Sequence, residues 1–577
     1  MRFESCLRAL FAVTMLLAGA AHGGAPDVPE ISVVSTMQRV FKDTAITVQA
    51  TPAIELWAAR NEYESAQLAL VTDRRVDVRR VTAPPLVHEN GSATLAADNF
   101  SYGFPVDVYV DWHTRATPPE ELDGDAPGWF PDPVEMGGSA RIDGVGSLWV
   151  RWYVPTDAVP GTYRGTVQIE MVEGVRQVPV TLHVWAFTLP AQPSMHMTNW
   201  VYVEEIERQY KVVRGSEKFW RVVEAVADDL AAHRQDVIFT ELGLIRTIQR
   251  QDGGYDFDFS LYAKWVEIFL KRGFRIFEGS HLNHPKSFDI RKYQQGPRLR
   301  FGREEVVTAE GHRLLRMLLP ALQRENRRLG IAERYVQHVG DEATLDQRDR
   351  YREIAAMVHE FMPGVPVIDA THLQPSLREG MMDIPVINMG KPQNEAPDRE
   401  RMKAKWGSWW YTAAFNPRGR YPNRFIDYPL IKMRMIPWVS WLKGKNYLHY
   451  AYNFWFTPSK QGPWREVQYK DYAAGDAWMV YPPRSGNSLA PVPSMRWEVL
   501  RDGMEDFEYV RLLERLAGGQ GDHATTARAL LNELRAAIRS PEDYPRNAQW
   551  VENMRRRMGV LLDRAAADGG LGESPIG

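Results

Sequence analysis

Asp341 and Glu342 are adjacent carboxylates closing the run Tyr335-Val336-Gln337-His338-Val339-Gly340. Two carboxylates this close repel, so one can keep its proton near neutral pH while the other stays ionised, the division of labour that acid/base chemistry requires. Asp-Glu pairs are also common on solvated surfaces, so the meaning of this one depends on where the chain puts it. The alternation through 335–339 fits a short strand, and Gly340 lets the chain turn as it leaves. On that reading the two acids stand at a strand mouth.

The surrounding elements support such a mouth. A strand at 196–203, a helix at 217–233, a strand at 236–241, a helix at 261–271, a strand at 274–278 and a helix at 312–329 precede the acids. A helix at 346–361 and strands at 365–370, 384–388, 407–413 and 446–452 follow. This alternation predicts parallel β/α architecture, and eight strands predict a closed (β/α)8 TIM-type barrel with the pair at the end of the fourth. In such a barrel the C-terminal strand ends carry the chemistry. Here they would present Asn199, Trp200 and Tyr202, then Glu241, then Glu278, His281 and Asn283, and later His372, Asn388, Trp409, Trp410, Tyr411, Tyr450, Tyr452 and Trp455. His338 is expected in the interior beneath the acids.

Upstream, residues 27–190 consist of short alternating runs broken by Gly, Pro and Asp, the pattern of a β-sandwich. The Pro- and Gly-rich insertion at 112–146 is expected to reach toward the next domain, and 188–194 is a proline-punctuated linker. Downstream, 498–517, 524–538 and 548–566 have helical spacing, and 568–577 reads as a flexible tail. The expected organisation is therefore a signal at 1–20, a sandwich at 27–190, a catalytic barrel at 195–517 and additional C-terminal helices at 518–567.

A chain of 577 residues exceeds a single core, and 44% hydrophobic with 25% charged residues is a globular composition. A net charge of -3 argues against nucleic acid as a partner. The 19 Trp and 23 Tyr residues suit the apolar faces of sugar rings. Arg2 and Arg8, the apolar run at 9–17 and Ala18-Gly19-Ala20 read as an export signal cleaved after Ala20, which implies a periplasmic or secreted protein. The one cysteine, Cys6, falls inside that signal, so no disulfide is expected, and no later run approaches the roughly 20 apolar residues of a membrane span. No zinc or calcium ligand spacing, glycine-rich phosphate loop or Gly-x-Ser-x-Gly elbow is present, so neither a metal nor a cofactor is expected.

The stretch Ser494-Met495-Arg496-Trp497-Glu498-Val499-Leu500-Arg501-Asp502-Gly503-Met504-Glu505-Asp506-Phe507-Glu508-Tyr509 is far denser in charge than a generic helix. It resembles the C-terminal signature of glycoside hydrolase family 123, a family of secreted β-N-acetylgalactosaminidases. The turn Pro160-Gly161-Thr162-Tyr163-Arg164-Gly165, the runs 56–62 and 67–70, and Tyr421-Pro422, Arg434 with Trp438, Trp455, Trp464, Asp476 and Tyr481-Pro482 agree in order, so the resemblance spans nearly the whole chain. It carries the family's adjacent acids onto Asp341 and Glu342. Relatives often continue with proline, where this chain has Ala343.

The resemblance implies removal of a β-linked N-acetylhexosamine, N-acetylgalactosamine first, from a glycan by a retaining, substrate-assisted route. In that scheme the 2-acetamido oxygen attacks the anomeric carbon, and no carboxylate nucleophile is needed. Asp341 would orient the acetamido N–H, and Glu342 would protonate the leaving oxygen and later deprotonate water. Trp455 is the first expected sugar platform, followed by Trp409, Tyr411, Tyr450 and Tyr452. Arg434, His281, Asn388 and His372 are expected at hydroxyls, with a structural ion pair the other reading of Arg434. The charges of the signature itself are read as a buried network locking the terminal helix to the barrel. Two alternatives stand beside this. One is a glycosidase for a sugar without an N-acetyl group, with Glu241 or Glu278 as second carboxylate; the other is a non-catalytic carbohydrate-binding protein.

Overall fold

The computed structural model describes residues 28–282, 309–395, 405–413, 417–455, 461–468, 472–484 and 488–571. The expected signal at 1–20, Asn283 and residues 572–577 of the expected tail lie outside the described residues.

The N-terminal strands are β1 (Glu30–Val34), β2 (Ile54–Arg60), β3 (Glu62–Val71), β4 (Val76–Thr82), β5 (Leu86–His88), β6 (Thr94–Leu95), β7 (Phe100–Val110), β8 (Gly128–Met136), β9 (Ala140–Ile142), β10 (Val145–Val154), β11 (Gly161–Met171) and β12 (Val175–Thr188). They form two sheets, in the orders β1-β3-β10-β7-β8 and β2-β12-β11-β4-β9. Alternation explains their faces: Val167, Ile169 and Met171 are buried along β11 while Gln168 and Glu170 between them are not. One apolar core joins the sheets, with Leu68, Leu70, Leu148 and Val150 from the first meeting Leu56, Val167, Ile169 and Leu182 from the second. The expected long loop at 112–146 is only partly a loop, because 128–136 and 140–142 within it are β8 and β9; the part between β7 and β8 reaches outward. The amides of Asp111 and Trp112 donate to Gln468 at 2.7 and 3.2 Å, and Thr114 donates to Asp427 through its amide and hydroxyl at 2.5 and 2.8 Å.

The next strands are β13 (Met197–Asn199), β14 (Val237–Thr240), the hairpin β15 (Arg246–Gln249) and β16 (Tyr255–Asp258), β17 (Ile276–Gly279), β18 (Tyr335–Gln337), β19 (Ile368–Thr371), β20 (Ile384–Asn388), β21 (Ser408–Tyr411) and β22 (Lys445–His449). Apart from the hairpin, they make a parallel sheet β14-β17-β18 and a parallel sheet β13-β22-β21-β20-β19. A single parallel bridge, Gln337 to Val367, links the two between β18 and β19. Between β13 and β14 the links are side chains: Met197 donates its amide to Asp236 at 3.4 Å and Asn199 donates to Gln235 at 2.8 Å. Phe239, Ile276, Val336, Ile368, Val386, Trp409 and Leu448 gather in one cluster on a single side of these strands. Gly279 has no room for a side chain, because a Cβ there would lie 1.8 Å from the Tyr335 hydroxyl and 2.6 Å from Gln337 Oε1. The third strand can thereby approach the one that leads to the acids.

The α-helices are α1 (Val203–Tyr210), α2 (Glu217–Ala232), α3 (Ser260–Leu270), α4 (Ala309–Arg328), α5 (Arg348–Phe361), α6 (Ile431–Lys443), α7 (Met495–Ala517), α8 (Asp522–Ala537) and α9 (Ala548–Ala567), and two short antiparallel strands, β23 (Val480–Tyr481) and β24 (Val492–Pro493), precede α7. In α2, Ser216 caps the amide of Phe219, and Phe219, Val222, Val223, Val226 and Leu230 repeat at helical spacing on the buried face. The signature forms the start of α7, capped by Ser494 onto the Trp497 amide. Its charges are buried and paired across the molecule. Arg496 grips Asp132 of β8 at 2.8 and 3.0 Å, Glu498 meets Arg151 of β10 at 2.9 Å, and Tyr509 donates to Glu62 of β3 at 2.7 Å. Burial alone would raise the Glu498 carboxyl, yet Arg151, Arg501 and His233 hold it well below the usual range.

Candidate active site

β18 carries the chain up to the acids and ends at Gln337. The chain then turns, and Glu342 takes a left-handed backbone, φ 47°, which a non-glycine residue adopts at a cost of about 1–3 kcal/mol. Strain of this kind persists where surrounding bonds over-determine the geometry. Asp341 and Glu342 are each partly exposed, whereas the six residues before them and Ala343 after them are buried.

Glu342 accepts a hydrogen bond from the Tyr411 hydroxyl at 2.6 Å, and His372 Nε2 lies 2.8 Å from the same oxygen. Asn388 hydrogen-bonds the Tyr411 oxygen from the neighbouring strand. Burial, with the charges of Glu342 and Asp341 adding to it, pushes the Tyr411 phenol well above its ordinary value, so it remains a donor at any working pH. Asp341 stands close enough for its charge to act on Tyr202, Tyr411, His338 and Asp369. Tyr202 is itself held by a bond from its hydroxyl to the Tyr450 carbonyl at 2.7 Å. The end of β21, the loops after β13 and β19, and the end of β20 thus converge on two carboxylates. The arrangement can present one acid to a proton in flight and the other to a polar N–H.

A closed polar layer lies beneath. His338 is fully buried, with Nδ1 2.8 Å from Asp369 Oδ1, and burial drives its pKa down to about 3, so the ring is neutral. His281 Nε2 lies 3.5 Å from the same Asp369 oxygen, and its ring sits 5.1 Å from Trp200. Glu278 accepts from Thr198 at 3.1 Å and Trp200 at 2.9 Å, and burial raises it to about 8, so it is a neutral acid at pH 7. His281, His338 and Asp369 bring donor atoms within 4.8 Å of one another, a set that no local sequence spacing announces. Asp369 Oδ2, however, already accepts the amides of Val339 at 2.8 Å and Gly340 at 3.0 Å and the Tyr351 hydroxyl, which spends the carboxylate on hydrogen bonds.

Of the residues expected from sequence, the structure gathers Asp341, Glu342, Tyr411, His372 and Asn388, and sets His281 in the layer below. Others are corrected. Trp455 is fully buried and donates to the Val480 carbonyl at 2.6 Å, so it offers no open face to a sugar. Tyr452 is likewise buried, its hydroxyl on Asp229 and its ring against Trp497. Trp409 precedes Tyr411 by one full pleat, donates to the Trp406 carbonyl and stacks on His196 before β13, at the opposite ends of the strands. Arg434 lies on α6, where Asp506 takes it in a paired bond at 2.6 and 3.1 Å; it is an ion-pair partner of the signature. Tyr450 spends its hydroxyl on Asp476 at 2.6 Å and supports Tyr202 through its backbone. The alternative second carboxylates are committed too, Glu278 as above and Glu241 to the Val203 amide at 2.9 Å. Asp369 was missed, although an acid inside the apolar strand 365–370 is the kind of buried polar group that signals a role.

The family described as "Glycoside hydrolase 123, catalytic domain" matches residues 200–513, more than half of the chain. A solved family 123 glycoside hydrolase from Clostridium perfringens, whose structural study concerns glycolipid glycan hydrolysis, superposes with a TM-score of 0.70. It is 14% identical, and the match covers 94% of this chain and 99% of that one. A β-glucuronidase of Parabacteroides merdae matches 84% of this chain and 54% of its own at 9% identity, with a TM-score of 0.29. None of the curated proteins matches this chain.

Proposed function

The chain belongs to glycoside hydrolase family 123, and from that footing we propose that it removes β-linked N-acetylhexosamine, N-acetylgalactosamine first, from glycans by a retaining, substrate-assisted route. The observation that carries the reading is the pairing of Glu342 with Tyr411 and His372 while Asp341 stands beside it on the same turn. In this reading the acetamido oxygen of the substrate attacks its own anomeric carbon, Asp341 receives the acetamido N–H, and Glu342 gives its proton to the leaving oxygen. Water then opens the oxazolinium as Glu342 takes a proton back, so the two steps balance and the anomeric configuration is retained. The enzyme of Clostridium perfringens suggests a glycolipid glycan as one source of the sugar.

The same reading takes the two N-terminal sheets as a β-sandwich at 27–190, the parallel strands as a (β/α)8 barrel within 195–517, and 518–567 as appended helices. The shared core of the two sheets and the chain-order succession of the parallel strands support it. Export rests on the N-terminal composition. Among the described residues no helix is long and apolar enough to cross a membrane.

Aryl glycosides with and without the 2-acetamido group test the function. The parent should cleave only the N-acetyl substrates, and an oxazoline mimic should inhibit it. Glu342→Gln should lose about 10²–10⁴ in kcat, most on poor leaving groups, and Asp341→Asn should slow every N-acetyl substrate. Parent rates in both variants would sink the assignment.

A further inference from the structure

Asp369 lies on β19, one strand away from the acids, and is fully buried. Its Oδ2 accepts the backbone N–H of Val339 at 2.8 Å and of Gly340 at 3.0 Å, the two residues immediately before Asp341. The Tyr351 hydroxyl from α5 donates to the same oxygen, and His338 Nδ1 meets Oδ1 at 2.8 Å. A backbone N–H can only donate, so Oδ2 must accept whichever of Oδ1 and Nδ1 holds the proton between them. Two adjacent amides on one acceptor fix two successive peptide planes, and the residues that follow inherit their direction. One of those is Glu342, whose left-handed backbone would relax if the turn were free.

We propose that Asp369 is the positioning residue of the acid pair, holding the turn through the Val339 and Gly340 amides so that Asp341 and Glu342 meet the substrate in reactive geometry. This deepens the glycosidase reading and rests on it for the kinetic consequence, but not for the structural one. The group acts as an acceptor rather than as a charge. Asparagine can therefore replace it, with its oxygen in the place of Oδ2 and its Nδ2 donating to His338 Nδ1 in the other tautomer.

The experiment combines amide hydrogen exchange with kinetics on an aryl N-acetyl-β-D-galactosaminide, using the full chain as Asp369→Ala, Asp369→Asn and Tyr351→Phe, each checked by thermal melting. Asp369→Ala should expose the Val339 and Gly340 amides to faster exchange and lower kcat about 100-fold with KM little changed, the cost of a misplaced reacting group. Asp369→Asn should keep both amides protected and restore kcat to within about tenfold of the parent. Tyr351→Phe, which removes one donor and leaves both amide bonds, should protect them as the parent does. The proposal is overturned if folded Asp369→Ala keeps parent exchange or parent kcat, or if Asp369→Asn is as damaging as alanine. Should the parent turn over no glycoside at all, the glycosidase reading fails by itself, and the exchange measurement still decides what Asp369 does.

Discussion

Tyr411 donates to Glu342 from a neighbouring strand while Asn388 holds the phenol from behind. As Glu342 gives up its proton this becomes a hydrogen bond to a charged group, worth about 1.5–3 kcal/mol, so Tyr411→Phe should cut kcat/KM by roughly 10–100-fold, with the folded state intact on a thermal melt. A variant with parent kinetics would show that the bond is incidental. The acid pair was readable from its place at the end of the expected fourth strand and from the distant signature at 494–509, the dipeptide by itself being common on solvated surfaces. The left-handed backbone of Glu342 was not, since nothing in the residue type demands it, and Ala343 now has a reason. A proline at 343 would crowd the amide and Cβ of the preceding residue and push it toward extended conformations, away from the geometry seen. Trp455 and Tyr452 misled for the opposite reason: an aromatic at a strand end looks the same in sequence whether its face meets a ligand or a core.

At the scale of elements, the helices around the site were legible by their period of 3.6 residues, and the parallel strands, buried on both faces, as short apolar runs between turn signals. Helix α6 was not. Every residue from Ile431 to Trp441 is buried, so no polar face sets off an apolar stripe, and Pro437 in its interior reads as a break. Missing that helix is what left Arg434 as a candidate for sugar contact. α6 packs so closely on α7 that a Cβ on Gly503 would lie 2.5 Å from the Arg434 carbonyl oxygen. Gly503→Ala should therefore destabilise the protein by about 1–3 kcal/mol, read as a lower denaturant midpoint, although alanine is the better helix former. Unchanged or greater stability would mean that the crossing is looser than described.

For the whole molecule, buried carboxyls set how stability responds to pH. Burial raises Glu205 and Glu241 to about 7 and Glu278 to about 8, from an ordinary 4.5. The folded chain thus keeps protons that the unfolded chain releases, and their stabilising effect is complete below about pH 4.5 and lost as pH rises through 7 and 8. The buried neutral His338, lowered to about 3, works the other way below about pH 6.5, so the melting temperature should fall between pH 6.5 and 8.5, and Glu278→Gln should flatten the upper part of that fall. A melting temperature that climbs across the window would contradict burial as the cause. Glu498, held low by its arginines, works the other way and matters only in acid.

The grip of Arg496 on Asp132 reaches from α7 to a strand of the N-terminal sheets, and both side chains are fully buried. The N-terminal sheets are therefore part of what α7 folds against, not an addition to it. Losing Asp132 alone would leave Arg496 its two carbonyl partners, Arg424 at 2.6 Å and Gly475 at 2.8 Å, but no counter-charge, and unpairing a buried charge in this way costs about 3–5 kcal/mol. Any chimera that keeps α7 has to carry residues 111–132 with it.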